Sequence, residues 1–238
     1  MSRPGVLYVV ATPLGNLDDI STRAVHVLGS VDLILCEDTR RTRVLVYHLG
    51  IRIPTLSLHE HNERSRTAAV LARLGDGARI ALVSDAGTPV ISDPGYRLIA
   101  SVVESGHPIV PIPGASAVTA LLSVAGLPAD RYVFEGFLPP KSGRRARRLA
   151  ELAAETRTIV LFESPHRLAR TLGELHAAWG DRWCCVGREL TKRYEEIQHG
   201  RLSELAARHH SRAIKGEITL AVAGADEKLS AAGGESED

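Results

Sequence analysis

The sequence predicts an α/β protein of two domains, the first on a mostly parallel sheet and the second on a mixed one. Three observations carry this. Short apolar runs alternate with segments of helical periodicity along the first half, as repeated βα units require. Past Leu127-Pro128 the character changes, and Glu195 to Gly200 and Glu217 to Val222 alternate apolar with polar residues, which suits antiparallel neighbours. Finally, 238 residues with 44% hydrophobic and 24% charged content suffice for two modest globular domains. We expect an N-terminal α/β domain over 1–127, a C-terminal α/β domain over 128–224 and a disordered Gly/Ser/acid-rich tail over 225–238.

The elements follow in order. Val6 to Ala11 reads as a strand, then Asp18 to Gly29 as a helix with Ile20, Ala24, Val27 and Leu28 on one face. Leu33 to Cys36 is a strand and Thr39 to Gly50 a helix. A short strand over Thr55 to Leu58 precedes a helix over Asn62 to Leu74, with Asn62 as N-cap and Gly75 as C-cap. Ile80 to Val83 is a continuous apolar run, expected of a strand buried on both faces. A helix over Tyr96 to Glu104, a strand at Ile109 to Ile112 and a helix over Ser116 to Ala125 complete the first half. Beyond it, Tyr132 to Phe137 is a strand, and Leu138 to Arg148 a Pro/Gly/Arg-rich loop entering a helix. Strands over Thr158 to Phe162 and Trp183 to Val186 flank a helix over His166 to Trp179.

Composition narrows the function. Net charge is +1, from 29 basic and 28 acidic residues, so a nucleic-acid role must rest on local patches. Cys36, Cys184 and Cys185 lack metal or disulfide spacing and read as buried thiols of a cytoplasmic protein. No apolar stretch approaches the ~20 residues that span a bilayer, and Met1-Ser2-Arg3-Pro4 does not open a secretion signal.

Two strand-to-loop transitions point to one small-molecule pocket, since such loops are where α/β folds bind ligands. Ser84, Asp85, Gly87, Thr88 and Pro89 follow one strand; Pro113, Gly114, Ala115 and Ser116 follow another. After the first strand comes Thr12-Pro13-Leu14-Gly15-Asn16-Leu17, with neither GxGxxG nor GxxxxGK[ST], so the dinucleotide and P-loop readings lack their motifs. Glu37 and Asp38 place two carboxylates at the end of the second strand, where Asp38 or Thr39 can equally cap the next helix. His59-Glu60-His61 has no further ligand motif, and no metal is expected. His209-His210 reads as a solvated helix end. Lys141, Arg144, Arg145, Arg147 and Arg148 pack five cations into eight residues, a potential suited to phosphates and poorly explained by a solvated helix N-terminus.

Taken together, ATPLGNLDDIS, CEDTR, SDAGTPVISDPG, PGASA, FEGFLP, FESPHR, RELTKRYEE and KGEITL, in that order over roughly residues 5–224, resemble the rRNA cytidine 2'-O-methyltransferase branch of the tetrapyrrole methylase superfamily, the class III methyltransferases. The resemblance implies S-adenosylmethionine as methyl donor, held in a cleft between two α/β domains, a homodimer, and a cytidine in the decoding region of 16S rRNA within the 30S subunit. It assigns to the donor Pro13, Leu14 and Gly15; Asp85, Gly87, Thr88 and Pro89; Gly114, Ala115 and Ser116; Phe162 and Glu163; and Lys215, Gly216 and Glu217. Tetrapyrrole-modifying relatives carry GxGPGD after the first strand, where this chain has ATPLGNL. Glu37, Asp38, Glu163 and Lys192 stand as base or orienting groups, with no choice among them. The arginine run with Arg167, Arg188 and Arg193 is expected to meet RNA phosphates. Two rivals remain: a same-fold enzyme acting on a corrin or sirohaem precursor, and a non-enzymatic ribosome-assembly factor.

Overall fold

The computed structural model describes residues 5–210 and 214–225; Met1 to Pro4 and the expected tail beyond Ala225 lie outside the described residues. Contacts divide the chain into two compact units, meeting between Ser116 and Ala117.

The first unit runs β1 (Val6–Val10), α1 (Thr22–Leu28), β2 (Leu33–Cys36), α2 (Thr39–His48), β3 (Thr55–Ser57), α3 (Glu63–Gly75), β4 (Arg79–Leu82), α4 (Tyr96–Glu104) and β5 (Ile109–Ile112). Its sheet has the order β3-β2-β4-β1-β5, and every pairing is parallel. Alternation along the strands feeds two cores. Leu33, Leu35, Ile80 and Leu82 pack on Val70 and Leu74 of α3 and Leu98 and Val102 of α4. Ile34, Cys36, Ala81 and Val83 pack on Ala24 and Leu28 of α1 and Val46 of α2. Burial on both faces is why these strands read as unbroken apolar runs; each full-sized side chain so buried contributes ~1.5–3 kcal/mol.

The expected helix over 18–29 is two elements. A 3₁₀ turn at Leu17–Asp19 is capped by Asn16, and α1 begins after Ser21, whose hydroxyl accepts from the Ala24 N–H at 3.1 Å. Asn62 precedes α3 but makes no side-chain cap; its Oδ1 instead accepts from the His59 N–H at 2.9 Å.

The second unit runs α5 (Ala117–Leu122), β6 (Tyr132–Phe137), α6 (Ser142–Leu152), β7 (Thr158–Glu163), α7 (Leu168–Trp179), β8 (Trp183–Arg188), β9 (Glu196–Arg201), α8 (Leu202–His209) and β10 (Ile218–Val222). Its sheet order is β6-β7-β10-β8-β9. Only β6 and β7 pair parallel, so the sheet is mixed, as the alternating strands predict. Leu149 and Leu152 of α6, Leu172, Leu175 and Trp179 of α7 and Leu202 and Leu205 of α8 cover Ile159, Leu161, Cys184, Val186 and Leu220. The sequence reading divides the chain near Leu127-Pro128. The contacts put α5 with the second unit, where Leu121 fills the space beside Gly187 of β8. His209, expected on a solvated face, is buried at 3% exposure because α8 packs against α7. All three cysteines are reduced and buried. Among the described residues no helix is long and apolar enough to cross a membrane.

Candidate functional site

Sheet order builds the site. The return from β3 inserts β4 between β2 and β1, so the carboxyl ends of β2, β4, β1 and β5 stand side by side at the ~4.8 Å strand spacing. The loops leaving them are tied together. Thr12 and Gly87 exchange both backbone hydrogen bonds, at 2.8 and 3.0 Å. The Thr12 hydroxyl donates to the Ser84 carbonyl and the Ser84 hydroxyl to the Gly87 carbonyl. From the other side, the Thr88 hydroxyl donates to the Ala115 carbonyl at 3.2 Å.

Glycine is needed at two of these positions. Gly87 has φ +79°, and a Cβ there would come within 3.2 Å of Leu14 Cδ2. A Cβ on Gly114 would lie 2.9 Å from that of Ala11, so the β5 loop could not approach β1 as closely. Pro13, Leu14 and Pro89 are buried walls, Gly15 and Gly114 are exposed, and Ala115 and Ser116 are half-buried. Further along the same loop Val90 and Ser92 hold φ of 75° and 65°. For a β-branched residue that is a strained backbone, of a kind that clusters at functional sites.

At the β2 edge the carboxylates separate. Asp38 caps α2: its Oδ1 accepts from the Arg40 N–H at 2.8 Å, and its Oδ2 is 2.7 Å from Arg40 Nη2. Those bonds hold its pKa down to about 2. Asp85 Oδ1 accepts from the Asp38 N–H at 3.1 Å and Oδ2 lies 3.5 Å from Arg41 Nε. Glu37 beside them is half-buried, and desolvation followed by the negative charge of Asp85 raises its pKa. Of this pair, Asp38 is a helix cap, and Glu37 is the carboxylate whose pKa is raised.

In the second unit two base candidates, Glu163 and Lys192, are engaged by neighbouring side chains. Glu163 is 3% exposed and accepts from the Ser164 N–H, Arg167 Nε and the Thr171 hydroxyl, at 2.6, 2.7 and 2.6 Å. With its lone pairs so committed it organises the β7–α7 turn. Lys192 Nζ lies 2.8 Å from Glu189 and 3.0 Å from Glu217. Burial works against its charge, but those two bonds outweigh it and raise its pKa, which favours the ammonium form. Glu217 donates its N–H to Glu189 Oε1 at 3.0 Å, and the Lys215 carbonyl accepts from Arg188; Gly216, between them, lies against the Glu189 side chain. Phe162 is half-buried in edge contact with Phe134, ring centroids 5.0 Å apart.

The residues of the arginine run differ in their surroundings. Arg145 is 2% exposed, its guanidinium on Glu174 at 2.6 and 2.9 Å and on the carbonyls of Pro139 and Pro140. It is a packing residue, its guanidinium committed within the second unit. Arg148 is held by Glu135 at 2.6 Å, Arg167 by Glu163 and Arg188 by Glu196 at 3.0 Å. Among the described residues Arg147 is paired with the exposed Glu151, a solvent-screened contact that a phosphate can replace. Among the described residues Lys141, Arg144 and Arg193 have no carboxylate partner. Nor does any group of three His, Cys, Asp or Glu there form a metal cage; His59 Nε2 is engaged by the Asn62 amide at 3.0 Å.

Two α/β units, with glycine-bearing loops gathered at the carboxyl edge of a parallel sheet, define a class of ligand-binding α/β enzymes. The profile of the Tetrapyrrole (Corrin/Porphyrin) Methylases matches residues 6–206, and the chain belongs to that family. It is 47% identical over 228 residues to "Ribosomal RNA small subunit methyltransferase I" of Xylella fastidiosa, covering 94% of this chain and 84% of that one. It is 50% identical over 222 residues to the protein of that name from Synechocystis, covering 93% and 80%. Among solved structures, a Thermus thermophilus uroporphyrin-III C-methyl transferase complexed with S-adenyl homocysteine aligns with TM-score 0.65 at 18% identity, over 91% of this chain and 97% of that chain. That likeness bears out the expected fold class.

Proposed function

We propose that the chain transfers a methyl group from S-adenosylmethionine to the 2'-hydroxyl of a cytidine in the decoding region of 16S rRNA, within the 30S subunit, as a cytoplasmic homodimer. The observation that carries the reading is the junction of the β4, β1 and β5 loops through Thr12, Gly87, Thr88 and Ala115. This junction fits a donor with an apolar ring and polar amino and hydroxyl groups. Leu14 and Pro89 offer buried apolar walls, the Asp85 carboxylate is half-exposed, and glycine keeps side chains out of the way at 87 and 114. Pro13, Leu14, Gly15, Asp85, Gly87, Thr88, Pro89, Gly114, Ala115 and Ser116 would hold it. When bound, S-adenosylmethionine supplies a methyl group already activated by its sulfonium. The protein's work is placement and proton removal. Fixing both reactants in line can lower the barrier by ~7–11 kcal/mol, and Glu37 receives the hydroxyl proton. The rRNA assignment is supported by the names of the relatives and by ATPLGNL in place of the tetrapyrrole signature.

The test is transfer from labelled S-adenosylmethionine to 30S subunits lacking the modification, with 2'-O-methylcytidine identified by mass spectrometry after nuclease digestion. Methylation of a precorrin instead would replace this reading with the small-molecule one. Absence of donor binding by calorimetry would leave an assembly factor. At the pocket, Asp85→Ala is expected to weaken donor affinity roughly tenfold or more, as the loss of a charged hydrogen-bond acceptor does. An unchanged dissociation constant removes Asp85 from the donor's contacts.

A further inference from the structure

We infer that the outward face of α2 is a docking rail for the single-stranded RNA flanking the methylated nucleotide, an inference that rests on the proposed function. Helix α2 buries Thr42, Leu45 and Val46. At 100° per residue the opposite face carries Arg40, Arg43, Val44 and Tyr47 together, with Tyr47 one turn beyond Arg43 and two beyond Arg40. Tyr47 is 88% exposed and Val44 65%, too much for packing to explain. From Thr39 to His59 the sequence holds Arg40, Arg41, Arg43 and Arg52 and no Asp or Glu. Arg43 and Arg52 are exposed with no carboxylate partner among the described residues. On α6 Arg145, Arg147 and Arg148 are met by Glu174, Glu151 and Glu135, whereas on α2 Asp38 and Asp85 meet Arg40 and Arg41 in the first turn and leave Arg43 beyond them unmatched. A chain of net charge +1 thus leaves positive charge unneutralised on α2, around an aromatic ring standing in solvent.

That pairing of cations with an exposed ring suits single-stranded RNA, whose bases stack on aromatic faces while its phosphates meet arginines. Position supports it. The first turn of α2 touches the candidate pocket through Arg41 and Asp85, 3.5 Å apart. The helix then runs ~15 Å away from it, reach enough for neighbouring nucleotides.

The experiment compares Tyr47→Ala, Tyr47→Phe and Arg43→Gln in two assays: 30S methylation against 30S concentration, and fluorescence anisotropy with a labelled single-stranded RNA oligonucleotide. Tyr47→Ala is expected to raise KM and the oligonucleotide Kd roughly tenfold, with kcat, donor affinity and melting midpoint unchanged. Tyr47→Phe, which keeps the ring, should stay within about twofold. Arg43→Gln should lower the log–log salt slope of RNA binding by roughly 0.7, the value for one phosphate on a single strand. Unchanged KM, Kd and slope in Tyr47→Ala and Arg43→Gln overturn the inference. So does a shift from dimer to monomer in sedimentation, which would make α2 a subunit contact. If the wild-type chain methylates no rRNA, the proposed function falls, and the oligonucleotide data alone decide whether α2 binds RNA.

Discussion

Glu37→Gln should slow methyl transfer to 30S subunits by roughly 10²–10⁴-fold, the usual contribution of a positioned general base. Donor affinity should remain near wild type, because the amide fills the same space. The expectation follows from elimination by geometry. Asp38 is tied to the first turn of α2, Glu163 is enclosed by three donors, and Lys192 is held as a cation between two carboxylates. Glu37 alone combines partial exposure with a pKa raised by burial and by Asp85. A raised carboxyl pKa leaves the base protonated in acid, so single-turnover rate should climb as pH rises through that pKa. The glutamine variant should lose this limb. A full-rate variant with the limb intact assigns the proton to another acceptor.

Arg145→Ala should unfold the protein more easily by ~3 kcal/mol, toward the low end for a broken buried ion pair because Glu174 keeps partial access to water. The melting midpoint should drop by roughly 10 °C. Arg144→Ala with Arg147→Ala should leave it in place, both side chains being exposed. The same pair sets an acid response. Hydrogen bonding to Arg145 lowers the Glu174 pKa. Its stabilisation is therefore complete above the ordinary glutamate value of ~4.3 and is lost as pH falls through the lowered one. Acid titration of the melting midpoint should be flatter in the Arg145 variant. A midpoint unmoved by Arg145→Ala would show the contact with Glu174 to be idle.

These expectations separate what local pattern reveals from what tertiary placement decides. Tyr96 to Glu104 and Tyr132 to Phe137 have the predicted bounds, because unbroken periodicity between glycine and proline punctuation is a local property. The region from Asp18 to Gly29 reads as one helix because Ile20, Ala24, Val27 and Leu28 keep a 3.6-residue phase across the cap at Ser21. The loops that carry the candidate pocket residues are legible as strand ends. That β4 lies between β2 and β1, bringing Asp85 against Asp38, depends on a crossover that no short window contains. The ion pairs of the arginine run are hidden for the same reason: the carboxylates that answer Arg145 and Arg148 lie at Glu174 and Glu135, distant along the chain. The charge pattern of α2 could have been found by counting acids as well as bases.

The left-handed turn at Val90 has a kinetic meaning. Its side chain packs into the core shared by α3 and α4, and its Cγ2 sits 3.1 Å from where a Cβ on Gly95 would be, so neighbours hold the backbone where it would not rest alone. A rim so held is expected to keep one shape. Donor capture should then proceed in a single phase whose observed rate rises linearly with concentration, without the plateau of a gating step that precedes entry.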